Sequence, residues 1–147
     1  MTESAGDSSE QQNAEEWLLN ELSEKRRIKL IKKRFDLEGA RQIELDGFCE
    51  SPLILCEAWS HIGRPVGCQK DKVMTDALKL IFVNKLFYKG EGECILLFAD
   101  YDAAALFKHD ENWRSQCLQE YDIKIEVIKF TEERKAKIQE AQERQKR

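Results

Sequence analysis

The sequence has few of the residues that build a metal centre from nitrogen and sulfur. Only two histidines occur among the 147 residues, and the five cysteines include no CxxC pair. A zinc site of the usual Cys/His spacing is therefore not visible. The cysteine count is odd and the N-terminus has no apolar leader, so we expect a reduced, cytoplasmic chain rather than a disulfide framework.

Long apolar runs and several common catalytic motifs are also missing. No run approaches the roughly 18 apolar residues that a membrane span needs, so we expect no membrane partner. The sequence contains no GxSxG, no GxxxxGK[ST] and no GxGxxG before a helix, which leaves several large enzyme classes without support. The net charge of −4 argues against bulk electrostatic capture of nucleic acid, although a local basic patch stays compatible with it.

What the sequence does contain is enough apolar surface for one ordinary domain. The apolar fraction is 41%, and much of the charge lies at the two ends. We expect residues 1–13 to be a disordered tail, residues 14–130 to form a single α/β domain, and residues 131–147 to form a polar C-terminal helix or tail. Thr131 can cap that last helix.

The hydrophobic periodicity predicts an α/β fold with a mixed central sheet that helices flank on both faces. The predicted elements, in chain order, are a helix over 14–35, a hairpin over 41–59, a long helix over 70–88, a buried strand over 94–99, a short helix after 100, a helix over 112–120, a half-buried or edge strand over 123–130 and the last helix.

Three carboxylates, Glu44, Asp46 and Glu57, interrupt the two apolar runs of the hairpin. Acidic residues are depleted in strands and buried charges need partners. If Phe48 pairs with Leu53, the alternation of side chains places all three acids on one face. Like charges about 5 Å apart repel unless a cation or protons intervene. A slip of one residue would separate Glu57 from the other two acids.

The predicted first helix carries two glutamates, Glu21 and Glu24, on an otherwise apolar face. Either both lie at the edge of this face and reach water, or one of them points into the same site as the strand acids. The lysines and arginines between residues 25 and 34 form either a solvated face or a phosphate-contact patch.

The acids in IELDG and ILCEAW, between a glutamate-bearing helix and a crossover helix, resemble the PD-(D/E)XK, or restriction-endonuclease-like, superfamily over roughly residues 15–100. In that superfamily an Asp lies on one strand and an acid-x-Lys element on the next. The resemblance implies a core of α-β-β-α-β, with a later strand and helix, and a Mg²⁺- or Mn²⁺-dependent nuclease acting on DNA. It implies Asp46 and Glu57 as metal ligands, with Glu44 or Glu21 as a further ligand.

The acid-x-Lys element departs from the superfamily pattern because it reads EAW, with Trp59 in place of the lysine. Some members carry that lysine on the following helix, which implies Lys70 or Lys72 as catalytic candidates. His61 is another nearby basic group. The layout ILCE, KV and DALKL also resembles uncharacterised bacterial proteins, which implies no activity.

Several residues keep a simpler interpretation beside the functional one. In the functional interpretation Lys72 is the lysine of the site, Asp76 orients it and Lys79 contacts nucleic acid. In the simpler interpretation the three residues form an ordinary surface ladder on the helix. Arg64 contacts phosphate in the functional interpretation and contacts nothing in the simpler one. His61 forms hydrogen bonds only with the backbone in the simpler interpretation. The alternatives to a nuclease are a non-catalytic nuclease-like domain that binds nucleic acid or a protein partner, and an accessory subunit whose acids pair with Arg or Lys. A homodimer is compatible with each.

Overall fold

A computed structural model describes residues 5–39, 41–108 and 112–146. It is a single α/β domain in which the described residues form a five-stranded mixed sheet and five helices. The elements, in chain order, are α1 (Ala5–Arg26), β1 (Ile31–Leu37), β2 (Arg41–Cys49), β3 (Ile54–Trp59), α2 (Cys68–Tyr88), β4 (Glu93–Phe98), α3 (Tyr101–Lys108), α4 (Trp113–Glu120), β5 (Ile123–Val127) and α5 (Glu132–Lys146).

The five strands lie side by side in chain order. β1, β2 and β3 form an antiparallel meander, whereas β3, β4 and β5 run parallel. Parallel neighbours need crossover connections, and α2 and the pair α3–α4 supply them. Within the described ranges, every helix is too short or too polar to cross a membrane.

Helices cover both faces of the sheet, which confirms that part of the predicted fold. α2, α3 and α4 enclose one core with Leu55 and Leu96 of the sheet, and α1 and α5 enclose a second with Cys56 and Ile95. All six residues of β3 are buried, as expected for a strand packed on both faces. The predicted helix over 70–88 and the buried strand over 94–99 correspond to α2 and β4.

The predicted helix over 14–35 is wrong in its second half. α1 ends at Arg26, and Arg27 follows in the left-handed region with φ 57°. β1 begins at Ile31, and its sequence IKKRFDL buries Phe35. Lysine and arginine favour helices, but pairing of β1 with β2 outweighs that local preference.

Both ends of the described chain are helical. α1 begins at Ala5, inside the segment expected to be disordered, while residues 1–4 lie outside the described part. α5 is capped by Thr131, whose Oγ1 accepts from the Arg134 N–H at 3.2 Å, as predicted. It is not a wholly polar tail, because Ile138 and Ala141 are each 1% exposed and join the core beneath α1.

The hairpin register differs from the prediction in two ways. Phe48 pairs with Leu55 rather than with Leu53. On its other side β2 shifts register against β1, because Phe48 faces Ile31 whereas Leu45 faces Lys33. Two residues of β2 therefore oppose one residue of β1, which is a β-bulge. With Phe48 opposite Leu55, Glu57 faces Asp46 instead of Glu44 as predicted. The bulge also reverses the alternation of side chains along β2, so Glu44 does not share a face with Glu57.

Candidate functional site

A cleft opens where β2 and β3 part. Their regular pairing ends at Gly47 and Cys56. Beyond that point the Asp46 N–H donates to Oε2 of Glu57 at 2.7 Å, and the Ala58 N–H donates to Oδ2 of Asp46 at 2.9 Å. Each carboxylate thus accepts a backbone N–H of the facing strand. The two acids satisfy backbone donors that the interrupted ladder would otherwise leave unpaired.

The cleft has a volume of about 510 Å³, within the range of small-molecule sites. One part, which we call the neutral wall, consists of Gln11, Trp59 and His61. The other part, which we call the charged wall, consists of Glu15, Asp46, Glu57, Lys72, Asp76 and Lys79.

α2 supplies both lysines of the charged wall. Lys79 Nζ lies 2.6 Å from Oε1 of Glu57, and Lys72 Nζ lies 2.8 Å from Oδ1 of Asp76. Positions three and four apart share one face of a helix, which brings these residues to the cleft. Glu57 is 2% and Asp76 5% exposed. The pair between Lys72 and Asp76 is the i,i+4 pair that the surface-ladder interpretation predicts. That interpretation does not extend to the whole stripe, because Asp76 is buried and Lys79 pairs across the cleft.

α1 contributes Glu15 to the cleft, rather than Glu21 or Glu24. The fully buried positions of α1 are Ala14, Leu18 and Leu22, and this spacing of four residues sets the helix phase. Sequence reasoning missed Glu15 because it extended the helix too far and phased it on other residues. The recurrence of apolar residues at every fourth position from residue 14 was the signal that could have found it.

The remaining predicted site residues divide between the cleft and the outside. Asp46, Glu57, Lys72, Lys79 and His61 line the cleft.

Four predicted residues do not line it: Glu21, Glu44, Arg64 and Lys70. Glu44 instead pairs with Arg34 of β1 at 2.8 Å, because the bulge turns it away from Glu57.

Burial and mutual repulsion raise the pKa of several acids in the charged wall. Burial, then the charge of Asp46, raises the pKa of Glu15 to about 7. The same two causes raise the pKa of Glu57 to about 8, although Lys79 opposes them. Burial also raises the pKa of Asp46, against the hydrogen bond from Ala58. The four carboxylates of this wall outnumber its two lysines, and the charge of Lys32, which lowers the pKa of Glu15 and Asp46, does not outweigh burial. Protons or a further cation can balance the remaining negative charge.

The donor set of the charged wall fits a hard divalent cation, since Mg²⁺ binds carboxylate oxygens. The described residues contain no group of three or more His, Cys, Asp or Glu arranged to hold a metal ion as they stand. Both oxygens of Glu57 already accept hydrogen bonds, from Lys79 and from the Asp46 N–H. A cation would thus compete with Lys79 and with protons for these oxygens.

The neutral wall begins with two stacked rings. The Trp59 and His61 ring centroids are 4.5 Å apart, and His61 Nε2 lies 2.6 Å from Nε2 of Gln11. Burial, with the charge of Lys72, lowers the pKa of His61, so the imidazole is neutral at physiological pH.

The loop that carries His61 is held from two sides. The Gly63 N–H donates to Oδ2 of Asp100 at 2.7 Å, and the Ile62 N–H donates to Oε1 of Gln142 at 2.8 Å. These contacts fix the loop against β4 and α5.

No protein-family model, curated protein or solved structure matches this chain.

Proposed function

We propose that this chain is a Mg²⁺- or Mn²⁺-dependent nuclease of the PD-(D/E)XK kind, which hydrolyses phosphodiester bonds in DNA. One observation carries the proposal. Glu15 of α1, Asp46 of β2 and Glu57 of β3 line a single cleft, and Lys79 contacts Glu57 there. The order of helix, three-stranded meander, crossover helix and parallel strand agrees with a restriction-endonuclease-like core.

Lys79 supplies the amine that the sequence element EAW lacks. Its ammonium contacts Glu57, the acid of the acid-x-Lys element, from the neighbouring helix. A compact ammonium suits the stabilisation of charge on a phosphoryl group. Lys72 adds a second positive charge, and Asp76 positions it. In this proposal Lys79 takes the role that the resemblance implied for Lys70 or Lys72.

Asp46 and Glu57 would hold the divalent cation, which when bound neutralises clustered acids and stabilises phosphoryl charge. In hydrolysis a P–O bond to the water oxygen forms as the P–O bond to the leaving oxygen breaks, and the leaving oxygen takes a proton from the solvent. A general base works best with a pKa near the operating pH. The pKa of Glu15, about 7, suits it to take the proton from water.

The test combines metal binding with cleavage of plasmid and single-stranded DNA. Millimolar Mn²⁺ or Mg²⁺ should raise the melting temperature of the wild type, because a ligand of the folded state stabilises it. Asp46→Asn and Glu57→Gln should each reduce cleavage by about 100-fold or more. Glu21→Gln, on the same helix as Glu15 but outside the cleft, should retain both properties. A melting temperature that ignores metal, or cleavage that survives both cleft substitutions, would refute the proposal.

The second candidate is a nuclease-like domain that binds nucleic acid or a protein partner without cutting. The bonds to both oxygens of Glu57 and the tryptophan at position 59 favour it. It predicts a stable complex with DNA or a protein and no cleavage product at any metal concentration. Product formation that depends on Asp46 would exclude it.

A further inference from the structure

We propose that the neutral wall of the cleft binds a nucleobase next to the scissile phosphodiester, so that the substrate is nucleic acid with an unpaired base at that position. This inference rests on the proposed function for the neighbouring phosphate. It adds a substrate class, single-stranded or locally opened nucleic acid, that the charged wall alone does not specify.

The rings of the neutral wall form a supported stacking surface. Trp59 is only 8% exposed, so the fold fixes its ring. His61 packs on that ring at 4.5 Å with an interplanar angle of 35°, and Gln11 bonds its Nε2. Unpaired bases stack on aromatic side chains, histidine included. Because His61 is already held from two sides, a base that stacks on it orders little additional structure.

Unpaired polar atoms at the same place indicate a ligand with its own donors and acceptors. Trp59 Nε1 and His61 Nδ1, in two residues that line the cleft, are buried with no hydrogen-bond partner in the described part of the chain. Nearly all buried polar groups in native proteins have a partner, so two unpaired ring nitrogens in residues that line a cleft require an explanation. The edge of a nucleobase carries both donors and acceptors, and the amide of Gln11 is of the type that pairs with base edges.

The charge distribution favours a base over a second phosphate at this wall. Lys72, whose charge acts on His61, already pairs with Asp76, and Lys79 pairs with Glu57. A base inside a duplex presents neither its stacking face nor its pairing edge, and it reaches a pocket only when it is unstacked. The cleft therefore fits a strand whose base has left, or never had, its pairing partner.

The main test compares three nucleic acids on the full chain carrying Asp46→Asn, with Mg²⁺ present, so that binding is measured without turnover. The three are a short single strand, the same strand with abasic sites, and its duplex. Loss of one stacked base should weaken binding about 5- to 150-fold, and the duplex should bind as weakly as the abasic strand. Equal affinity for the intact and abasic strands would overturn the inference, as would no binding of the intact strand.

A pair of substitutions separates stacking from a structural role of His61. His61→Ala should reduce binding of the intact strand to the level of the abasic strand, and His61→Phe should restore it, because phenylalanine keeps the ring. Neither substitution should change binding of the abasic strand. Equal weakening for both strands in both variants would indicate a structural role and contradict the inference.

The inference and the proposed function fail in different ways. Wild-type chain that binds bases preferentially but cleaves neither plasmid nor single-stranded DNA refutes the nuclease and leaves the base site standing. Wild-type chain that cleaves intact and abasic strands with equal KM refutes the base site and leaves the nuclease standing. A variant with Trp17→Phe and Trp113→Phe keeps Trp59 as its one tryptophan. Its emission should change with the intact strand only, and an equal change with the abasic strand would count against the inference.

Discussion

Two clusters of charged side chains in this protein have opposite balances of charge. In the first, which we call the clamp, Arg26 at the end of α1 pairs with Glu93 at 2.9 Å and with Glu126. Lys124 also pairs with Glu93 at 2.9 Å, and Lys25 lies 3.8 Å from Glu126. Three cations thus form ion pairs with two acids. In the charged wall of the cleft, two lysines serve four acids.

The ratio of cations to acids in each cluster decides whether a carboxyl pKa is raised or lowered. In the clamp, burial raises the pKa of Glu93, but hydrogen bonds from Lys124 and Arg26 outweigh burial and lower it below its ordinary value. In the cleft, burial prevails and the pKa of Glu15 and Glu57 rises. In the clamp, the protein therefore pairs its acids with enough cations to keep them ionised. Acids left without enough cations in a cleft are typical of a functional site.

The largest effect is expected from Glu15→Gln as a function of pH. Unfolded Glu15 ionises near pH 4.5 and folded Glu15 near pH 7, so the wild type loses stability as the pH rises between these values. Denaturant unfolding should show the variant equal to the wild type at pH 4 and more stable by about 2–4 kcal/mol at pH 8. A constant difference across this range would contradict the raised pKa.

The matched variant in the clamp, Glu93→Gln, should show the opposite slope. The lowered pKa of Glu93 gives stability that is present above about pH 4.5 and lost as the pH falls through the folded pKa. The variant should therefore be less stable than the wild type at pH 7, and the difference should disappear in acid. The same slope in both variants would remove the contrast between the two clusters.

A smaller effect is expected from Arg26→Met, which keeps much of the side chain and removes its charge. Glu93 and Glu126 would lose their shared partner, and hydrogen bonds to charged groups contribute about 1–3 kcal/mol. We expect a loss of that size in the free energy of unfolding at pH 7. Lys25→Met is the control, because Lys25 is 63% exposed, and it should cost less than about 0.5 kcal/mol. A cost for Arg26→Met no larger than that of the control would show that the clamp contributes little.

The smallest effect is expected from Glu44→Gln. Glu44 pairs with the exposed Arg34 outside the cleft, and exposed pairs contribute little. The free energy of unfolding should change by less than about 0.5 kcal/mol, and the effect of Mn²⁺ on melting should stay as in the wild type. Loss of the Mn²⁺ effect in this variant would place Glu44 at the metal after all.

The sequence identified Asp46 and Glu57 because acids that interrupt apolar strands are conspicuous, and the two still meet in the cleft despite the shift in hairpin register. The bulge beside Asp46 had no comparable signal. It depends on packing, since a Cβ on Gly47 would come within 2.8 Å of Leu19 Cδ2. That close approach of α1 is a tertiary contact between distant parts of the chain.

The strand β1 and the contact of Lys79 are two further features that depend on tertiary packing and that local sequence does not predict. The sequence IKKRF fits both a helix and a strand, and only pairing with β2 decides between them. Lys79 was placed on the polar stripe of α2, but its contact with Glu57 depends on how the helix sits on the sheet. Local pattern thus predicts elements and candidate acids, whereas the pairing of those acids follows from packing.

The hydrogen bonds from Gln142 to the loop beside the cleft affect the order in which parts of the protein can fold. Gln142 bonds both the N–H and the C=O of Ile62, a residue eighty positions earlier in the chain. During synthesis on the ribosome, the strands and α2 can emerge and pair while this loop has its contact with Asp100 but still lacks the one with Gln142. The neutral wall would therefore reach its final shape only after α5 has been made and has docked beside α1.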